Sequence, residues 1–152
     1  MVIAAIIDFA DLLASGLLVG AMFGAWLMLQ PALLAPSTYV VVQQNAIRAL
    51  NDILPALGAL AVLITLAAAY TAREERMRLI MLIAAVVGLA AAGIITRFFN
   101  QPINAIVMTW TASAPPDDWS HLRDEWWRWH AVRLASALIA FSLIIGAAMR
   151  RA

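Results

Sequence analysis

Cysteine is missing from the chain, which excludes a disulfide framework, thiolate metal sites and a redox-active dithiol. Lysine is missing too, so all ten cationic side chains are arginine. Charge is scarce altogether. Charged residues make up 12% of the 152 residues, against about 25% in an ordinary soluble domain. The net charge of +1 leaves no footprint for nucleic acid. Only two histidines occur, His121 and His130, nine positions apart and on different helical faces. With no thiolate and no Glu-x-x-His pair, a metal centre is poorly supported, and no haem, dinucleotide or phosphate motif is present. No cofactor is expected. The N-terminus lacks the basic n-region of a cleaved signal, and Asp8 and Asp11 interrupt its apolar start.

What is abundant is apolar sequence, 64% of the chain. So little polar surface cannot cover a soluble globule. The expected class is an all-α integral membrane protein, one domain over residues 1–152. A helix needs about 20 apolar residues to cross a bilayer. Four windows qualify, at about 11–29, 53–71, 79–96 and 131–149. They predict a four-helix up-down bundle. Gly16, Gly20 and Gly24 share one face of the first window and read as a face for packing inside the bundle. Asp8, Asp11 and Ser15 read first as an interfacial cap, with a carboxylate inside the bundle as the alternative. Pro36-Ser37-Thr38 predicts a turn with a hydroxyl cap. An amphipathic helix follows over 39–50, with Gln43, Ile47 and Leu50 on one side and Gln44, Arg48 and Asn51 on the other. It forms a cap on one membrane face, where its polar side either lines a cavity mouth or meets headgroups and water.

The short loop 72–78 carries Arg73, Arg76 and Arg78, and Arg150-Arg151 end the chain. By the positive-inside rule both sit in the cytoplasm, against the pull of arginines 48, 97, 123 and 128. The expected location is a bacterial inner membrane with both termini cytoplasmic. The connections 30–52 and 97–130 then lie together on the outer face.

The polar residues concentrate in Arg97–Arg133, RFFNQPINAIVMTWTASAPPDDWSHLRDEWWRWHAVR. Within it, Asn100 and Asn104 lie one helical turn apart, with Arg97 a turn earlier. Pro102 between them predicts a kink or a fresh helix start. The two carboxamides either line a polar pocket or cap broken helix ends. Further on, Arg123, Trp126, His130 and Arg133 fall along one face. Trp127 and Trp129 point elsewhere and suit a headgroup-level belt. Ionisable groups at the apolar boundary either face the bundle interior or reach out to the interface.

These features resemble the anthrone oxygenase-like family, small four-helix membrane proteins long catalogued as a domain of unknown function. The residues that carry the resemblance are the glycine-rich first span leading to Pro31-Ala32-Leu33, Gln43-Gln44 and Asn51. More specific are Asn100-Gln101-Pro102-Ile103-Asn104 and the run Trp127-Arg128-Trp129-His130-Ala131-Val132-Arg133. It covers nearly the whole chain. The family pattern often has asparagine at the His130 position. The resemblance implies oxidation of anthrones, three-ring phenolic compounds, to anthraquinones with molecular oxygen and no known cofactor. In that reading His130 is the base, and Arg133, Asn100 and Asn104 hold the anion. Arg97, Gln43, Arg48, Arg123 and Trp126 contact the flat substrate.

Three functions remain open at this stage. The first is a membrane-embedded oxygenase-like enzyme acting on a lipophilic polycyclic aromatic or quinone-like compound. The second is a non-catalytic accessory or binding subunit of a larger membrane complex. The third, a transporter or channel, ranks last because no inverted repeat or mid-membrane ring of charge is visible. Expected partners are membrane lipids and a lipophilic aromatic small molecule, with a homo-oligomer or larger membrane complex open and nucleic acid excluded.

Overall fold

The computed structural model describes residues 2–30 and 34–150. Pro31-Ala32-Leu33 and Arg151 lie outside the described residues. The order is α1 (Val2–Met28), α2 (Pro36–Leu50), α3 (Ile53–Thr71), α4 (Arg76–Ile95), a π-helical turn (Thr96–Asn100), α5 (Gln101–Val107) and α6 (Trp119–Met149). Among the described residues four stretches are long and apolar enough to cross a membrane: Val2–Met28, Ile53–Thr71, Arg76–Val107 and Trp119–Met149. The protein is an integral membrane helix bundle. In lipid only helices or closed barrels satisfy every backbone group.

Three spans are longer than the hydropathy windows, α1 because it already starts at Val2. The third helix runs on through the π-turn to Val107, and α6 begins at Trp119, twelve residues ahead of its apolar window. Polar residues there extend the helices instead of ending them, so the connection between them shrinks to residues 108–118. Around the bundle, α1 packs on α3, α3 on α4, α4 on α6, and α6 back on α1. Alanine dominates the main core, including Ala61, Ala68, Ala85, Ala137 and Ala140. Small side chains let the backbones approach, and dispersion then replaces lipid contact. The closest approach is α4 on α6. A Cβ at Gly88 would stand 3.1 Å from Ala140 Cβ and 3.2 Å from the Ser136 carbonyl oxygen. Ser136 Oγ donates to the Gly88 carbonyl at 2.9 Å across the same contact.

The glycine face of α1 behaves differently from its sequence expectation. Gly16 meets Phe141, but Cβ atoms at Gly20 and Gly24 would meet nothing within 4 Å. Only the first of the three glycines packs inside the bundle. The acidic cap reading of α1 is also corrected. Asp11 and Ser15 are fully buried. Thr65 Oγ1 and Ser15 Oγ both donate to Asp11 Oδ1, at 2.7 and 3.3 Å. Asp8 pairs with Arg78 of α4 at 2.6 Å, and the pair is nearly buried. These carboxylates lock α1 to α3 and α4 at the end that carries the short α3–α4 loop.

A second apolar cluster closes the other end, built from Ala25, Leu29, Ile47, Ile103, Val107 and Trp126. It unites α2, α5 and the start of α6 over the bundle. Ala35 is the N-cap of α2, with no side-chain cap bond and Pro36 as its first residue. The hydroxyl cap expected from Ser37 and Thr38 is therefore not used. Proline at that position needs no backbone donor, which suffices to start the helix. Gln44 Nε2 ties α2 down by donating to the Val107 and Trp110 carbonyls at 3.0 and 2.9 Å.

Candidate functional site

Pro102 determines the local backbone. It has no N–H and its ring would clash with the carbonyl four residues back. The chain responds with one wide turn, in which Gln101 N–H donates to the Thr96 carbonyl, five residues back. Such π-turns recur at functional sites. The turn changes the register. Asn100 is fully buried, whereas Arg97 is exposed. The single face expected for Arg97, Asn100 and Asn104 therefore does not form.

Asn100 and Asn104 still act together, on Trp126. Asn100 Nδ2 donates to the Trp126 carbonyl at 3.0 Å. Trp126 Nε1 donates to Asn104 Oδ1 at 2.7 Å, and Asn104 Nδ2 donates to Asn51 Oδ1 at 3.0 Å. Asn100 thus commits its Nδ2 to protein, and Asn104 both its Oδ1 and its Nδ2. Trp126 is buried, and its indole stacks on His130 with centroids 4.8 Å apart and planes 6° from parallel.

His130 is fully buried. Its Nε2 lies 2.9 Å from the Met22 carbonyl of α1. A carbonyl only accepts, so Nε2 carries the proton. Nδ1 faces Arg133, which donates from Nε at 2.9 Å and from Nη2 at 2.6 Å. The imidazole is neutral, and its only lone pair is filled by Arg133. In this arrangement His130 orients the guanidinium and is not free to act as a base. Arg133 Nη1 donates to Thr96 Oγ1 at 3.1 Å. Its guanidinium lies 5.6 Å from the Trp126 ring centre. Arg133 is 7% exposed. Among the described residues it has no carboxylate partner.

Two cavities meet at Arg133. The larger, about 470 Å³, lies between α1, α3 and α4. Leu18, Met22, Leu89 and Ala92 form its buried floor, and Ala59, Leu63, Ala90, Gly93 and Arg97 its exposed rim. That rim belongs to α3 and α4, so the cavity opens sideways, toward lipid. Among the described residues, Thr96, Arg97, Gln101 and Arg133 are its only polar side chains. The smaller, about 40 Å³, lies beneath α2, lined by Gln43, Asn51, Asn104 and Trp126 among others. The two share Leu54, Pro55, Thr96 and Arg133.

A family model for anthrone oxygenase matches residues 44–143. The chain belongs to the anthrone oxygenase family. No protein of curated function and no solved structure gives a significant match. The matched stretch of this anthrone oxygenase family member runs from the middle of α2 to near the end of α6, and holds Arg97, Asn100, Asn104, Trp126, His130 and Arg133. It leaves out α1, which supplies the Met22 carbonyl, and it stops one residue short of Gln43.

Two residues expected at the substrate lie elsewhere. Arg48 is exposed and bonds Asn45 and Gln44 on its own helix. Arg123 pairs with Asp124 at 2.8 Å and lies over the Trp119 ring. Both line neither cavity. Trp127 and Trp129 do more than mark an interface. Trp127 stacks on Trp26 of α1, and Trp129 stacks on Phe99 of the π-turn at 3.8 Å. Near Trp119, Tyr39 is buried with its ring tilted on that indole, and burial pushes its phenol pKa up. Thr96 is the residue the sequence reading missed. As the last residue of an apolar window it carried no signal, yet it bonds Arg133 and lines both cavities. No group of three His, Cys, Asp or Glu gathers among the described residues.

Proposed function

We propose that the protein is a membrane-embedded oxygenase-like enzyme that oxidises a lipophilic polycyclic aromatic, of the anthrone-to-anthraquinone type. The observation that carries this reading is Arg133, a buried guanidinium with no carboxylate, set at the wall of an apolar cavity. An uncompensated buried charge is costly, and an anionic ligand oxygen compensates it. The cavity volume falls within the range of small-molecule sites. Family membership adds the reaction class.

In this reading the ligand partitions into the bilayer and slides between α3 and α4. Loss of a proton to water from the central-ring CH₂, across the ring from the ketone, leaves an enolate conjugated through the flanking rings, whose oxygen is held by Arg133. The enolate gives electrons to molecular oxygen, the co-substrate. One oxygen atom enters the product as the new carbonyl and the other leaves as water, with both hydrogens of the reacting CH₂. Arg133 stabilises the charge that develops, which is where a preorganised donor acts most strongly. Trp126 and His130 hold that donor in place. No tightly held cofactor is invoked. The reading places the chain in a bacterial inner membrane with both termini cytoplasmic.

The test is aerobic incubation of the purified protein with a panel of anthrones, following quinone absorbance. The expected result is a rate above autoxidation that is lost in Arg133→Leu. A panel that gives only the uncatalysed rate sinks the reading.

The second reading, a subunit of a larger membrane complex, is favoured by one observation. Among the described residues nothing comes within 4 Å of a Cβ placed at Gly20 or Gly24 of α1, which leaves room for a partner helix.

A further inference from the structure

The reaction reading makes no use of Gln43. This side chain is fully buried, yet among the described residues neither Nε2 nor Oε1 has a hydrogen-bond partner. Its position is no accident of a loose loop, because α2 is pinned by Gln44 on the carbonyls of Val107 and Trp110. Leaving a buried carboxamide unpaired costs it the desolvation of both polar atoms. Gln43 lines the small chamber beneath α2, opposite Asn104 and Trp126, and Arg133 belongs to the same wall. At about 40 Å³ the chamber takes about two or three water-sized groups. It is too small for a ring system and large enough for the substituents on its edge.

We propose that this chamber is a polar subsite for the oxygenated edge of the ligand, a phenolic hydroxyl near a carbonyl, and that Gln43 selects for it. The inference rests on the reading of the larger cavity as an aromatic site. A carboxamide both donates and accepts. Its Nε2 donates to the ligand's carbonyl oxygen, the same atom that carries charge and faces Arg133, and its Oε1 accepts from the neighbouring hydroxyl. The aromatic rings stay in the apolar cavity, and only the edge passes Thr96 and Arg133. A ligand without these groups would leave Gln43 unpaired with its solvent excluded. Sites built to bond a substrate polar group discriminate strongly against analogues that lack it.

The test measures binding without turnover. The full chain is reconstituted in lipid nanodiscs and titrated with 1-hydroxyanthraquinone and with unsubstituted anthraquinone, read by quenching of tryptophan fluorescence. The same titrations are made on Gln43→Leu. Partitioning into lipid is the same for both proteins, so it cancels in the ratio of ratios. The wild type is expected to prefer the hydroxylated ligand by about tenfold or more. In Gln43→Leu that preference is expected to fall to near unity, through weaker binding of the hydroxylated ligand. If the leucine variant does not fold, Gln43→Asn withdraws the carboxamide by one methylene and reads the same loss. An unchanged preference in a folded variant makes the chamber an ordered-water pocket only and overturns the proposal, while the enzyme reading stands. Absence of quenching by either ligand in the wild type overturns the aromatic-site reading and this proposal with it.

Discussion

A guanidinium buried without a carboxylate needs something to hold it, and in this protein the holder is a neutral imidazole. Met22 takes the Nε2 proton of His130, and Nδ1 is left to accept from Arg133. The prediction follows from what asparagine can reproduce. In His130→Asn the side-chain oxygen falls near the place of Nδ1 and still accepts from Arg133. The bond to Met22 is lost, at about 1 kcal/mol. Turnover by His130→Asn is expected to remain within severalfold of wild type, whereas His130→Leu, with no acceptor, drops it more than tenfold. Steady-state rates of the two variants, beside their melting temperatures, decide the matter. Loss of all activity in a folded His130→Asn would restore the imidazole as an obligatory base. His130, Trp126 and Arg133 were legible as one face because their spacing of three and four is unbroken in α6. Their division of labour was not legible. It depends on a carbonyl of α1, 108 positions away along the chain, and helical periodicity carries no such information.

At the level of elements, Pro102 has the largest consequence for its size. The sequence announced a break, since proline cannot continue an α-helix without loss. It did not announce that the break would be a wide turn inside a continuing helix, buried on Asn100 and exposed on Arg97. That outcome depends on α6, whose Trp126 carbonyl receives Asn100. Replacing Pro102 with alanine restores a backbone donor and removes the clash, which in a helix interior costs roughly 3 kcal/mol. Pro102→Ala is expected to melt higher than wild type and to turn over more slowly, because an α-helical register rotates Thr96 and Arg97 away from the cavity. Higher stability with unchanged kcat and KM would mean that the π-turn only accommodates the proline. The cavity mouth between α3 and α4 gives a second prediction. Gly93 lies on its rim with nothing within 4 Å of an added Cβ. Gly93→Trp therefore fills the mouth without strain on the bundle. Ligand binding in nanodiscs is expected to weaken at least tenfold with little change in melting temperature. Gly20→Trp, on the outer face of α1, is the matched control. It leaves turnover of the isolated chain intact, and a loss of function confined to cells would instead favour the subunit reading.

Across the whole molecule, the two ends of the bundle are built for different tasks. One end carries the tight α3–α4 loop and the Asp8–Arg78 pair, with Asp11, Ser15 and Thr65 bonded just inside it. The other end has a break in α4's continuation, a cap helix and two cavities. The number and order of the spans were legible, because apolar runs of sufficient length have no alternative in lipid. The buried Asp11 was not, because an acidic residue near a chain terminus reads most simply as exposed to water. If the tasks are separate, damage at one end should not propagate to the other. Asp8 and Met22 are fourteen residues apart on α1, roughly 20 Å along a helix rising about 1.5 Å per residue. Asp8→Asn removes one partner of a nearly buried ion pair and leaves Arg78 only the half-exposed Glu75 carboxylate at 3.3 Å, a loss of up to about 3 kcal/mol. Ligand affinity should stay within twofold of wild type wherever the variant is folded. Sites this far apart with no shared partner usually contribute additively. The double variant Asp8→Asn, Arg133→Leu should thus show a stability change equal to the sum of the single changes, within about 0.5 kcal/mol. It should also show the ligand affinity of Arg133→Leu alone. A coupling beyond that margin, measured by reversible denaturation in mixed micelles, would mean that the ion pair reaches the site through the tilt of α1, and the pair would then belong to the machinery and not only to the frame.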